Sequence, residues 1–452
     1  MSPEFDALAR SVRRKVAWRL LPLVFLLYIV AYLDRANAGF AKLQMKDELH
    51  FSESAFGWGF GLFFVGYLFL EVPGALIVER WSARKWFARI LVTWGACSMA
   101  TALVQTETHF YLARFLLGLA EAGFFPGVIV YLTHWFPRAD RARALAGLAF
   151  GVPASMALGA RASGWLLEQS WFGLSGWQWV FMAEGAPAVV LGVLVPFLLP
   201  DRPRDAGWLS AAERDWLDRT LDAERREVAA GSAMTLGRAL RERTVWLLAL
   251  GIMAVNTGGY ALVFWLPTAV KGLLGTAGRP NDSGNVLDWT GLVYLCGVVG
   301  VWAAAQSSDR TGERKWHCVG GLVLAAGGLA LSVLPGSSWT ATFAWLCVAG
   351  FGAFFWIPPF WTLPTTALTA SAAAVAVGVI NMCANLAGLI GSSAVGEMKD
   401  AGVGDRGCVL FLAAGYATGA GIISLIGRTR ARTRPDAHSE TALCQPPTGD
   451  RP

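Results

Sequence analysis

Twelve apolar stretches recur along this chain, each about the length that an α-helix needs to cross a hydrocarbon core, roughly 20 residues for about 30 Å. They cover 17 to 41, 56 to 78, 87 to 105, 109 to 133, 142 to 167, 178 to 199, 244 to 270, 286 to 307, 316 to 335, 339 to 369, 372 to 396 and 405 to 427. Lipid offers the backbone no hydrogen-bond partner, so segments of this kind fold as helices. Composition agrees. A chain of 452 residues that is 55% hydrophobic and 15% charged, with a mean hydropathy of +0.46, would expose too much apolar surface as a soluble globule. The expected fold class is an all-α polytopic membrane protein of about twelve transmembrane helices in two six-helix halves.

The net charge of +6 sits in short segments between spans, where it reads as an orientation signal and not as a nucleic-acid surface. Arg10, Arg13, Arg14 and Lys15 precede the first span. Arg80, Arg84, Lys85 and Arg89 follow the second, and Arg138, Arg141 and Arg143 the fourth. Arg310, Arg314 and Lys315 follow the eighth, and Arg428, Arg430, Arg432 and Arg434 the last. All fall on one side of an even-numbered bundle, while the other side carries fewer cations, among them Lys42, Lys46 and Lys271. Both termini are expected in the cytoplasm. The first span is too long for a signal-peptide core and lacks a cleavage site, so it is expected to be retained. The seven cysteines and five histidines show no metal-ligand spacing, and no cofactor is expected.

A polar segment from 200 to 243, helical in pattern from Ala211 to Glu227, separates a 17–199 half from a 244–427 half. Residues 1–16 form a cytoplasmic N-terminus, and 428–452, rich in Arg, Pro and Thr, reads as a disordered cytoplasmic tail. Each half carries a charged hairpin after its second helix: Glu79, Arg80, Arg84 and Lys85 in the first, Asp309, Arg310, Arg314 and Lys315 in the second. The matched acid goes beyond what positive loops alone require and implies a parallel internal repeat. A six-plus-six chain with these hairpins resembles the major facilitator superfamily, in which they gate the cytoplasmic side. More narrowly, "YLDRANAGFA", "VPGALIVERWSARKWFARI", "ARFLLGLAEAGFFPGVIVYLTHWFP" and "SDRTGERKWH" resemble the anion:cation symporter family. That likeness, over about 17 to 427, implies an inner-membrane carrier of small organic anions such as tartrate, phthalate or a sugar acid.

An ionisable group inside an apolar span is costly and marks function by default. Asp34 and Arg35 lie in the first helix, Arg114 and Glu121 in the fourth. Arg114 and Glu121, seven residues apart, share a helix face about 10 Å apart. A guanidinium stays charged and presents a planar fork matched to a carboxylate. A buried carboxylic acid whose arginine is borrowed by substrate changes its protonation, which couples the two. The resemblance implies that Asp34 and Glu121 handle protons, that Arg35 binds substrate and that Arg114 is linked to the helix-four acid. It also matches Tyr32 and Tyr67 to aromatic positions lining the site. The competing account is that Asp34 with Arg35, and Arg114 with Glu121, are static ion pairs. Glu71 and Glu184 are expected to have structural partners.

Asn381 and Asn385, one turn apart in the eleventh helix, face either a cavity or a neighbouring helix, with the cavity preferred for Asn381. Arg161 departs from the family pattern: it meets a second substrate carboxylate or reaches toward Glu168. Pro364 is an expected kink in the tenth helix, with Trp361, Thr362 and Thr365 as packing residues. The chain thus reads as a monomeric symporter, surrounded by lipid, that moves a small organic anion with protons or another cation by alternating access. An exporter on the same fold is the alternative. A membrane enzyme or sensor is a poorer fit, since no nucleophile with a base, His motif or output domain is present.

Overall fold

The computed structural model describes residues 3–230, 240–367 and 370–427. The tail from 428, with Arg428, Arg430, Arg432 and Arg434, and the linker stretch 231–239 lie outside the described residues. Among those described, the chain forms fifteen α-helices, two short 3₁₀ turns and no strand. The helices are α1 (Pro3–Leu49), α2 (Glu53–Arg80), α3 (Ala83–Thr101), α4 (Glu107–Glu121), α5 (Phe124–Thr133), α6 (Arg138–Leu167), α7 (Gly176–Leu198) and α8 (Ala211–Ala230). After the linker come α9 (Arg243–Thr276), α10 (Ser283–Thr311), α11 (Lys315–Ser332), α12 (Trp339–Phe355), α13 (Ile357–Ala367), α14 (Ala370–Asp400) and α15 (Asp405–Ser424). Taking α4 with α5 and α12 with α13 as single crossings, twelve elements traverse the bundle. Among the described residues, nine spans are apolar and long enough to cross a membrane by length and composition alone.

Packing repeats between the halves. In the first, α1 packs on α6 and α7, α2 on α4, and α3 on α7; in the second, α9 packs on α14 and α15, α10 on α12, and α11 on α15. The fourth crossing of each half is broken, at Gly123 and at Trp356. The halves meet through α2 on α14, α6 on α10, and α1 on α9.

The inter-half packing is closest toward one end, where Leu49, Glu53, Thr276, Ser283 and Asp400 lie; we call it the far end, and the end carrying Pro3 and Ser424 the near end. A methyl group at Gly57 would fall 2.7 Å from the Ser392 carbonyl oxygen, and one at Gly396 2.7 Å from that of Glu53. Glycine here is what allows α14 to lie against α2 backbone to backbone. Polar contacts close the same end. Lys42 donates to Glu53 at 2.5 Å and sits 3.4 Å from the Trp265 ring centroid, while Asp400 accepts from the first amides of α2 at 3.1 and 2.7 Å. At the near end, among the described residues, the ion pairs join each half to itself or to the linker. Lys15 binds Glu213 at 2.7 Å, which holds that carboxyl below its usual range, and Arg84 binds Asp201 at 3.2 Å. A methyl group at Gly147 of α6 or Gly378 of α14, both toward this end, would meet open space.

Two expectations change. The first helix does not stop at 41 but continues to Leu49, because Lys42 and Lys46 share Glu53 instead of ending the helix in a solvated loop. The tenth crossing breaks at Trp356 and not at Pro364, which α13 carries in its interior. Pro358 and Pro359 fall in the first turn of α13, where a missing N–H costs nothing, so the break precedes them. The helical pattern expected from Ala211 is present as α8.

At the other break Gly123 has φ of +84°, and a methyl group there would fall 2.8 Å from Gly74 Cα on α2. Gly123→Ala therefore combines left-handed strain, roughly 1–3 kcal/mol, with a backbone clash, and is expected to lower the thermal midpoint of detergent-purified protein. Gly207→Ala, in open space, should leave it unchanged.

Candidate substrate and proton site

Asp34 and Arg35 are adjacent on α1 and therefore point about 100° apart. Each finds a different neighbour. Asp34, fully buried, accepts from Trp94 Nε1 at 2.7 Å, from Asn37 Nδ2 at 2.9 Å and from the Ser98 hydroxyl, which ties it to α3. Arg35 reaches α4 instead, and its Nη2 donates to Glu121 Oε1 in a buried ion pair. The rings of Tyr32, Phe63 and Tyr67 surround the guanidinium at 5.1, 5.2 and 5.5 Å from their centroids. Apolar and aromatic walls strengthen such a pair by excluding water.

Arg114 is also fully buried, yet none of its guanidinium nitrogens has a hydrogen-bond partner among the described residues. It shares the Phe63 ring with Arg35, 5.1 Å from the centroid, and lies in the field of Asp34 and Glu121. Glu121 Oε2 is likewise without a partner. The static pairs Asp34 with Arg35 and Arg114 with Glu121 are therefore not the ones formed. Glu121 is bound to the first-helix arginine and not to Arg114, seven residues earlier on its own helix.

Other candidates stand apart from this cluster. Asn381 donates to Glu71 Oε1, and Asn385 to Glu71 Oε2 at 3.0 Å, so both amides meet a neighbouring helix across the two halves. Glu71 thus has partners, as expected, but the sequence did not show that they lie on α14 of the other half. Glu184 has a partner within its own half, accepting from Ser163 at 2.5 Å. Arg161 is exposed toward the far end and makes two 2.9 Å contacts with Asp288 of α10, not with Glu168. Trp361 packs near Phe125, Thr362 donates to Pro359 at 2.8 Å, and the Thr365 side chain lies outside the described residues.

The hairpins occupy the near end. Glu79 lies 3.4 Å from His134, whose pKa is lowered to about 4 by burial and then by Arg202, with Glu79 opposing, so at neutral pH the contact is a hydrogen bond to a neutral ring. Asp309 pairs with Arg314 at 2.7 Å, Arg310 is exposed, and the Arg80 side chain lies outside the described residues. Each described acid is thus engaged inside its own half.

A bundle of twelve crossings with a repeated packing pattern and a charged centre defines a secondary transporter, and the comparisons name the family. Residues 24–392 match the Major Facilitator Superfamily, to which the chain belongs. It is 42% identical, over 97% of this chain and 99% of the other, to a "Putative tartrate transporter" of Agrobacterium vitis. A quinolone resistance transporter of Acinetobacter baumannii is 37% identical over 86% and 89%. The inner membrane transport protein RhmT of Escherichia coli strain K12 is 36% identical over 94% and 98%. In fold alone, the chain resembles the inward-open xylose transporter XylE of E. coli, with a TM-score of 0.71 at 15% identity over 92% of this chain and 97% of that one. The protein is a multi-pass membrane transporter and not an enzyme.

Asp34 depends on its three donors. Trp94→Phe removes one hydrogen bond to a buried carboxylate and is expected to cost about 1.5–3 kcal/mol, read as a lowered thermal midpoint. An unchanged midpoint would mean that Asp34 does not need the indole.

Proposed function

We propose that this protein takes up a small organic carboxylate with protons across a bacterial inner membrane, both termini facing the cytoplasm, by alternating access. The observation that carries this reading is the buried Arg35–Glu121 pair beside a fully buried, unpartnered Arg114. A substrate carboxylate competes with Glu121 for the Arg35 fork. Glu121, released, becomes a lone carboxylate in a dry site, a state costing several kcal/mol. Two responses relieve it: it binds a proton, or it turns to Arg114. Substrate entry and proton entry are thereby linked, and the loaded and empty carriers differ in which charges remain unpaired. Asp34, with three donors, serves as the second acid of the relay, and Tyr32 and Tyr67 line the substrate.

The closed far end and the inward-open neighbour in fold support assigning this state as inward-facing. The far-end contacts that join the halves, Asp400 with the first amides of α2 and Arg161 with Asp288, then form the outer gate. The inner gate is the pair of hairpins, Glu79, Arg80 and Arg84 with Asp309, Arg310 and Arg314, which meet the opposite half when the outer gate opens. Names of relatives support an organic anion, and the quinolone resistance relative supports the exporter as a second reading.

In proteoliposomes Arg35→Ala is expected to abolish substrate binding, and Arg35→Lys to retain part of it without orientation. Glu121→Gln should still catalyse counterflow while losing proton-driven accumulation, because the amide cannot release the proton that resets the empty carrier. Accumulation at the wild-type rate would move the coupling role to Asp34, and substrate expulsion driven by an inward proton gradient would favour the exporter.

A further inference from the structure

Glu71 is a buried acid that this cycle leaves unused. It lies on α2 one turn beyond Tyr67, and both of its oxygens are taken by amides of α14 in the other half. The two helices run antiparallel, with Gly57 against Ser392, Gly61 against Leu389, and Phe64 against Gly388. Glu71 with Asn381 and Asn385 comes next toward the near end, where the close glycine contacts give way to polar ones. Its hydrogen-bond partners are neutral amides, and Arg35 acts on it only at longer range. Two side-chain N–H donors converging on one carboxylate suit any other carboxylate equally well.

We propose that Glu71 is a second internal carboxylate standing in a substrate's place, so that the cargo is a dicarboxylate. One end replaces Glu121 on Arg35, and the other replaces Glu71 on Asn381 and Asn385. This rests on the reading of Arg35 as the anion anchor. The Arg35 guanidinium lies 5.5 Å from the Tyr67 ring centroid, and Glu71 is one turn, about 6 Å of rise, further along α2. That is the scale of a short dicarboxylate, not of a point anion. The charge balance follows. When both ends bind, Glu121 and Glu71 each lose their partner and each binds one proton, so two negative charges enter with two protons. A monocarboxylate on Arg35 leaves Glu71 on its amides and brings one.

The test is isothermal titration of full-length protein with C4 dicarboxylates (tartrate, malate, succinate) and their monoamides, in buffers of different ionisation enthalpy so that proton uptake is counted. The wild type should take up about two protons per dicarboxylate and about one per monoamide. Glu71→Gln, which preserves shape, should take up one fewer with the dicarboxylate only. Glu71→Ala frees the amides from their internal competitor and should bind the dicarboxylate about tenfold more tightly. Unchanged proton uptake in Glu71→Gln, weaker dicarboxylate binding by folded Glu71→Ala, or no binding of any of the dicarboxylates by the wild type overturns the assignment. Arg35→Ala separates the two levels. If it binds as tightly as the wild type, the anchor reading itself falls; if it binds nothing while Glu71→Gln leaves proton uptake unchanged, only the role of Glu71 falls.

Discussion

A guanidinium that cannot lose its charge sits in the middle of a lipid-solvated bundle, and the neighbouring structure is arranged around that cost. Arg35 has Glu121 as its counter-ion and three aromatic rings as walls. Its position on α1 leaves Asp34 to α3, whose Trp94 and Ser98 supply the donors that an adjacent arginine cannot. Arg114 brings a second permanent charge to the same ring of Phe63 with no hydrogen bond of its own. Two buried arginines and two buried acids, with one ion pair between them, have more than one arrangement of similar cost. A permanently neutralised core would have only one.

The scaffold is suited to moving between such arrangements. The halves repeat one packing scheme, so each behaves as a unit joined to the other along α2 with α14, α6 with α10, and α1 with α9. Small residues at Gly57, Gly388 and Gly396 allow α2 and α14 to approach closely, and Phe60 stacks on Phe264 and Phe64 packs on Tyr260 between the same halves. Glu71 belongs to this seam, its two carboxylate oxygens held by Asn381 and Asn385 of the opposite half.

Much of this was legible in the chain. Runs of about twenty apolar residues fix the number of crossings, because lipid leaves the backbone no alternative to helix. Arg35 and Glu121 were visible because ionisable residues are rare in such runs. The breaks were harder. Pro364 looked like the kink, but Pro358 and Pro359 lie where a helix tolerates proline, at its start, and so dictate an earlier one. Lys42 read as a loop cation because its partners, Glu53 and Trp265, become neighbours only through the turn after α1 and the docking of α9. Glu71 and Asn381 are 310 residues apart, and nothing local in either helix announces the other. The partner of Arg161 was missed for the same reason: Asp288 belongs to the opposite half, whereas Glu168 was the acid nearest in sequence.

The central claim is that a substrate carboxylate and Glu121 compete for one guanidinium. A structure of the protein with a bound carboxylate, at a resolution that resolves side-chain rotamers, tests it most directly. The account predicts the ligand carboxylate on the Arg35 fork and Glu121 turned away, toward Arg114. An intact Arg35–Glu121 pair with the ligand bound elsewhere would contradict it.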